Sequence, residues 1–166
     1  DLKQESHCFI AIDTLNCFHE LTVDFLMEDE YKIYERLPLA EQFTKRTREL
    51  KRVRSYIREK KQKSDFEVYF LKLCDGYFEQ ALAALEYIKN DTQEKDVSYL
   101  IHGNFSYHSL LTDSPLGETC FVLTSFDKAG FGQHGSDFYY LLRKTMEKND
   151  WNQNLGYRMM QRYLMN

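Results

Sequence analysis

Apolar side chains recur three and four positions apart through the first half of the chain, which is the spacing of amphipathic helices. This spacing predicts helices over residues 9–26, 39–63 and 65 to about 89. Pro38 is placed to open the second helix. Ser64 and Glu67 have the spacing of a capping box at the start of the third.

The pattern changes after Lys95. Two short β-prone runs, 97–101 and 120–124, are separated by turn-forming residues at 112–118, and a glycine-bearing loop follows at 129–135. Two further helices are predicted, at 136–148 and 152–164. The order predicts a mostly α (α+β) fold, helical with one short β-hairpin, in a single domain over 1–166.

The composition agrees with this reading, since 7 Gly and 2 Pro are few and 12 Tyr and 12 Phe are many for 166 residues. No apolar run reaches the roughly 18 residues that a membrane span needs, and no signal-peptide pattern is present. Four dispersed cysteines do not suggest zinc, and we expect free, buried thiols in a reducing compartment. The chain begins with Asp1, so we expect a fragment or a processed product.

The formal net charge of −4 is unevenly distributed. Ten Lys or Arg and only two Glu lie between Lys45 and Lys63. This basic helix is read either as a solvated face or as a docking face for an acidic partner, another copy of the chain included. Nucleic acid is not expected, because Tyr56 is the only aromatic residue in the stretch. The candidate docking residues are Lys45, Arg46, Arg48, Lys51, Arg52, Arg54 and Arg58.

A second pattern concerns phosphoryl transfer. A kinase catalytic loop has an Asp that accepts the proton of the attacking hydroxyl, and five residues later an Asn that binds Mg²⁺; a further Asp on the next strand holds the metal. The chain shows the same spacing in His102-Gly103-Asn104 followed by Ser109, and then in Ser125-Phe126-Asp127.

These residues resemble the aminoglycoside/choline phosphotransferase-type kinase-like superfamily, whose catalytic loop reads H-G-D-x-x-x-x-N and whose metal strand reads I-D-F-[DE]. The stretch from Asp137 to Trp151, and the basic helix followed by Lys63-Ser64-Asp65-Phe66, are similar to CotS-type spore coat kinase-like proteins. The resemblance covers essentially the whole chain and implies a protein-kinase-like C-lobe. No Gly-rich loop or N-lobe lysine is found in it. The resemblance also implies the mother-cell cytoplasm and then the spore coat.

The departures from the family pattern bear on activity. Asn104 stands at the catalytic Asp, Ser109 at the metal-binding Asn and Ser125 at the metal-binding Asp, while Asp127 matches a less central acid. A carboxamide takes up no proton near neutral pH, and a neutral hydroxyl is a weak ligand for Mg²⁺. His102 is expected to pack under the loop. Asp137 resembles the acid that holds the loop's backbone N–H groups, or is a simple helix cap.

The leading hypothesis is a non-catalytic pseudokinase that acts by binding or assembly, with a protein partner or by self-association. One alternative is a divergent small-molecule phosphotransferase that is active with an N-lobe. Another is a helical interaction domain that docks through the basic helix 45–63. No cofactor is expected, with ATP and Mg²⁺ only under the enzyme alternative. No metal site is expected either, because His108 and His134 match no zinc spacing.

Overall fold

Five helices and four short strands make up the described part of the chain, which in this computed structural model comprises residues 2–25, 37–90, 99–113 and 120–165. The side chains of residues 112, 113 and 120 are outside the description. In chain order the elements are α1 (Glu5–Leu21), α2 (Leu39–Glu59), α3 (Asp65–Asn90), β1 (Tyr99–Ile101), β2 (Leu110–Asp113), β3 (Cys120–Leu123), β4 (Gly130–Gly132), α4 (Gly135–Lys148) and α5 (Gln153–Leu164).

The elements group into two compact units. The first combines Asp1–Arg36 with Val97–Asn166, and we call it the discontinuous unit; the second, Leu37–Asp96, is the helical hairpin. Each unit is described separately. The assignment of residues 1–166 to a single domain stays a prediction.

The core of the discontinuous unit forms around α1, which contacts α4, α5 and β3. Cys8, Ile12 and Leu15 are fully buried on one line of α1, and they pack with Phe105 and Leu141. The predicted bounds of this helix were wrong, because it begins at Glu5 and ends at Leu21. The apolar spacing predicts that Leu21 is buried, but it is the last residue of α1 and is 81% exposed.

Two forked ion pairs join α1 to α5 at the surface of this unit. Arg158 donates to both carboxylate oxygens of Glu5 at 2.6 and 3.0 Å, and Arg162 donates to both of Asp13 at 2.8 and 2.7 Å. The bidentate geometry fixes the register of the two helices. Because all four side chains are substantially exposed, solvent screens each pair and its contribution to the stability of the unit is small.

The strands form two antiparallel pairs, where the sequence predicted one hairpin. β1 pairs with β4, with Ile101 opposite Gly130, and β2 pairs with β3, with Leu110 opposite Leu123. The run at 120–123 is therefore a strand as predicted, but its partner is 110–113. The missed strands have weak signals, because β2 begins directly from a 3₁₀ turn at Tyr107–Ser109 and β4 is the short sequence Gly-Phe-Gly.

The helical hairpin is held together largely by charged groups. α2 and α3 run antiparallel, with Lys60 paired to Glu67, Arg54 to Asp75, and Arg54 over the ring of Phe78 at 4.9 Å. The capping box at the start of α3 is confirmed, since Glu67 N donates to Ser64 Oγ at 3.3 Å and Ser64 N donates to Glu67 Oε2 at 2.9 Å.

The helical spacing of apolar residues predicts that Ile57 of α2 and Phe66 and Tyr77 of α3 are buried. Ile57 is buried, but Phe66 and Tyr77 are 75% and 61% exposed, so the prediction was wrong at those two positions. The buried residues of α3 are Cys74 and Phe78.

The cysteines are free thiols where the structure describes them, with Cys8 and Cys74 buried and Cys17 exposed. The prediction of buried thiols is therefore wrong for Cys17, and the side chain of Cys120 lies outside the described residues. Burial raises the pKa of the Cys8 thiol to about 11, so this group stays protonated and unreactive at neutral pH. No helix in the described ranges is long and apolar enough to cross a membrane.

We expect Ile12→Ala to lower the free energy of unfolding by about 2–5 kcal/mol, because the side chain is fully buried and its loss leaves a cavity. The matched control is Leu21→Ala on the same helix, which should change it by less than about 0.5 kcal/mol. Urea denaturation measures both. Equal losses for the two variants would contradict the assignment of the core.

Candidate functional site

The site is built around Asp137, a fully buried carboxylate in the first turn of α4. Its Oδ2 accepts a hydrogen bond from His102 N at 2.7 Å and its Oδ1 accepts one from Gly103 N at 2.8 Å. Gly103 has φ 78°, a left-handed conformation that glycine adopts readily and that turns the chain back under the carboxylate. The N-cap residue is His134, so Asp137 supports the loop and is not a simple cap.

The ring of His102 ties the loop to the chain that follows β3. Asn104 N donates to His102 Nδ1 at 3.3 Å, so the ring proton is on Nε2, which donates to the carbonyl of Thr124 at 2.8 Å. The side chain is 0% exposed and lies against the rings of Phe105 and Phe126. His102 is therefore a positioning residue in the interior, as the sequence predicted.

Ser109 has its hydroxyl turned inward. Its Oγ donates to the carbonyl of Ser106 at 2.8 Å and accepts from Ser106 N at 3.0 Å. Together with the bond from His108 N to Ser106 Oγ, this is a capping box around the 3₁₀ turn. Ser109 is 2% exposed. The loop itself therefore uses this hydroxyl both as a hydrogen-bond donor and as an acceptor.

The segments at 102–109 and 124–128 meet at Thr124, whose N donates to the carbonyl of Ser109 at 2.8 Å. The next residue, Ser125, is exposed and lies in the left-handed region at φ 66°, ψ 53°, which is uncommon for a side chain other than glycine. Asp127 is exposed in the following 3₁₀ turn, and Asn104 is half-buried. Among the described residues, no three His, Cys, Asp or Glu are grouped so that they could hold a metal ion.

A partly buried aromatic cluster, in which His19 is the buried member, lies beside Asp137. The rings of His19 and His134 stack with their centroids 3.9 Å apart and their planes within 6° of parallel. Tyr99 also stacks on His134, with 4.5 Å between the ring centroids. His19 Nε2 is 3.5 Å from Asp137 Oδ2 and makes no hydrogen bond with any described residue. Tyr163 Oη lies 3.5 Å from His19 Nδ1.

Burial sets the protonation of this cluster. Desolvation, and then the charge of His19, lower the pKa of His134 to about 4, and its Nε2 has no hydrogen-bond partner among the described residues. Desolvation and then the Asp137 carboxylate raise the pKa of Tyr163 to about 12. At neutral pH both groups are therefore uncharged.

The candidate docking residues of α2 do not form one free face. Arg46 pairs with Glu49 at 2.8 Å, and Arg58 shares Asp75 with Arg54 at 3.8 Å. Lys51 lies over the ring of Phe78 at 5.9 Å. The remaining three, Lys45, Arg48 and Arg52, make no hydrogen bond or ion pair with any described residue.

Comparison with known proteins identifies the fold. The chain has a TM-score of 0.78 to an aminoglycoside phosphotransferase from Alicyclobacillus acidocaldarius subsp. acidocaldarius DSM 446, over 98% of this chain, at 19% sequence identity. The fold is kinase-like. The chain spans 48% of the length of that protein. No family model matches the sequence, and no curated protein matches it. At this level of identity the likeness shows the kinase-like fold and not an activity.

The predicted α+β, mostly helical C-lobe is thus confirmed as a kinase-like fold. The structure brings His102, Ser109 and Asp137 into one bonded network and places Ser125 beside it. Sequence reasoning missed His19 and Tyr163. A signal for His19 was available, because it lies four residues after the buried Leu15 on the same line of α1, where an apolar residue is expected.

We expect Asp137→Asn to lower the free energy of unfolding by about 1–3 kcal/mol, because its NH₂ group would face a loop amide and leave a buried donor without an acceptor. Asp127→Asn, on an exposed carboxylate of the same site, is the control and should change it by less than about 0.5 kcal/mol. Chemical denaturation distinguishes the two. An unchanged free energy of unfolding in Asp137→Asn would contradict the supporting role of Asp137.

His134 should make the fold sensitive to acid. Its pKa is about 4 when folded and roughly 6.5 when unfolded, so the unfolded chain binds the proton more tightly. The contribution of neutral His134 is therefore complete above about pH 6.5 and is lost as the pH falls toward 4. His134→Phe keeps the ring stack and should flatten the fall in thermal midpoint over this range, whereas His108→Phe, at an exposed position, should not. Parallel curves for the two variants would contradict this origin.

Proposed function

We propose that this chain is the helical lobe of a kinase-like protein that has lost phosphoryl transfer and acts by binding or assembly. The observation that carries the proposal is the inward hydroxyl of Ser109, at the position that resembles the family's metal-binding Asn. This hydroxyl is 2% exposed, and its proton and one of its two lone pairs are bonded to Ser106, so the group is buried in the loop and is not presented to a metal ion.

The other positions support the same conclusion. Asn104 stands where the resemblance puts the general base, and its carboxamide accepts no proton at neutral pH. Ser125 offers a neutral hydroxyl where a carboxylate would balance the charge of Mg²⁺ and phosphate. Asp127 remains acidic but is exposed, and a single carboxylate gives a weak site for a hard divalent ion.

The resemblance of 63–66 and 137–151 to CotS-type proteins supports a role in the spore coat. On this proposal the protein is made in the mother-cell cytoplasm and is then incorporated into the coat, through a protein partner or through self-association. The exposed aromatic and aliphatic side chains of the hairpin, among them Phe66, Tyr69 and Tyr77, are suited to such contacts.

The enzyme alternative has one observation in its favour. The scaffold that positions a catalytic loop is intact, since Asp137 holds the amides of His102 and Gly103 and His102 holds Thr124. A divergent small-molecule phosphotransferase, completed by an N-lobe, would need this scaffold. An assembly module of the same ancestry would also keep it, because the core of the unit is built around it.

A metal titration tests the proposal. We expect thermal unfolding of the natural chain to be unchanged by millimolar Mg²⁺ or Mn²⁺. The variant N104D/S125D restores two carboxylates, of which the one at 125 suits the left-handed backbone because Asp tolerates that conformation. Metal at 100 times its Kd would stabilise this variant by about 2.7 kcal/mol and raise its midpoint by several degrees.

The control variant is Q80E/N90D, which adds two carboxylates at exposed positions of α3 and should show no metal effect. A metal-dependent rise in the midpoint of the natural chain, equal to that of N104D/S125D, would sink the proposal. It would direct attention to the enzyme alternative and to its phosphate acceptor.

A further inference from the structure

Four basic side chains of the helical hairpin make no hydrogen bond or ion pair with any described residue, although the charges of Lys45 and Arg52 also act on the Glu49 carboxyl. Three of them, Lys45, Arg48 and Arg52, lie on one line of α2, at spacings of three and four residues. The fourth is Lys89, in the last turn of α3. The other cations of α2 that were candidates for docking are already engaged by Glu49, Asp75 and Phe78.

These four cations line a single groove of about 610 Å³ within the hairpin. Leu37 and Ala40 contribute apolar surface to it. The groove thus combines an apolar surface with a cationic edge, and cations that hold no direct ion pair at such an edge can pair with an anionic ligand.

The spacing of the charges favours an elongated ligand. Lys45 and Arg52 are seven residues apart on α2, which corresponds to roughly 10 Å along the helix. Two carboxylates, Glu41 and Glu49, also line the groove. Arg46 bonds to Glu49 and, as the main cause, lowers the pKa of its carboxyl, so this negative charge persists. A compact polyphosphate would meet the two carboxylates, whereas a chain with separated anions can place each one beside a cation.

We propose that this groove binds an acidic segment of a partner protein, with carboxylates on Lys45, Arg48, Arg52 and Lys89 and an apolar side chain against Leu37 and Ala40. The inference rests on the proposed binding role and gives that role a surface and a class of partner. It does not depend on the state of the loop at Asn104 and Ser109.

The test uses three fluorescein-labelled peptides, built from the repeated units Glu-Glu-Leu, Gln-Gln-Leu and Lys-Lys-Leu, with the full chain in fluorescence anisotropy titrations. We expect only the Glu-Glu-Leu peptide to bind, and its affinity to fall at least about tenfold between about 50 mM and about 500 mM salt. R48E/R52E should weaken this binding by about tenfold or more, because each substitution removes one attraction and adds one repulsion.

The matched control is K61E/K72E, which makes the same change in net charge at two exposed lysines of the hairpin that lie outside the groove. It should keep the affinity within about threefold. An equal loss in both variants would reduce the effect to general electrostatics and overturn the groove. Equal binding of the neutral peptide, or tighter competition by inorganic tripolyphosphate than by unlabelled acidic peptide, would overturn the assigned ligand.

Two further results keep the conclusions separate. Should R48E/R52E convert a dimer of the natural chain into a monomer in light scattering, the occupant is a second copy and the partner assignment is overturned. Metal binding by the natural chain with normal binding of the acidic peptide would refute the loss of catalysis and leave the groove standing. If the natural chain bound neither metal nor the acidic peptide, the groove proposal would be refuted and the proposed loss of catalysis would stand.

Discussion

A single buried carboxylate organises the discontinuous unit. Asp137 is removed from water at the start of α4, where the helix dipole favours its negative charge, and it is stabilised by the amides of His102 and Gly103. Those bonds place the loop against α4, His102 in turn holds Thr124, and Thr124 holds Ser109. Asn104, Ser109 and Ser125, the residues that differ from the family pattern, are in these bonded segments or directly next to a residue that makes one of the bonds.

The parts of the fold that local spacing determines could be predicted from the sequence. α3, α4 and α5 have the expected bounds to within one residue, because Ser64 with Glu67 and Asn152 are strong local caps. Strand pairing and the buried face of the hairpin could not be predicted in this way. They depend on partners that are distant in sequence, such as Gly130 for Ile101 and Asp75 for Arg54.

The site follows the same division. Spacing singled out His102, Asn104, Ser109, Ser125 and Asp137, and the match of these positions to the family's motif stays a prediction. The spacing of residues in the sequence could not show that the Ser109 hydroxyl faces inward, because that depends on the side-chain rotamer in a 3₁₀ turn. Nor could it separate the cations of α2 that pair with α3 from those that do not, since the pairing of Arg54 depends on Asp75, which is distant in sequence.

The capping box between Ser106 and Ser109 also constrains how the protein can evolve. Ser109 now supports its own loop, so replacing it by asparagine would remove two hydrogen bonds before any new ligand was gained. Under the proposed function, a change to asparagine at this position would therefore destabilise the loop before any metal ligand was complete. Gain of a metal site would then need changes at more than one position at the same time.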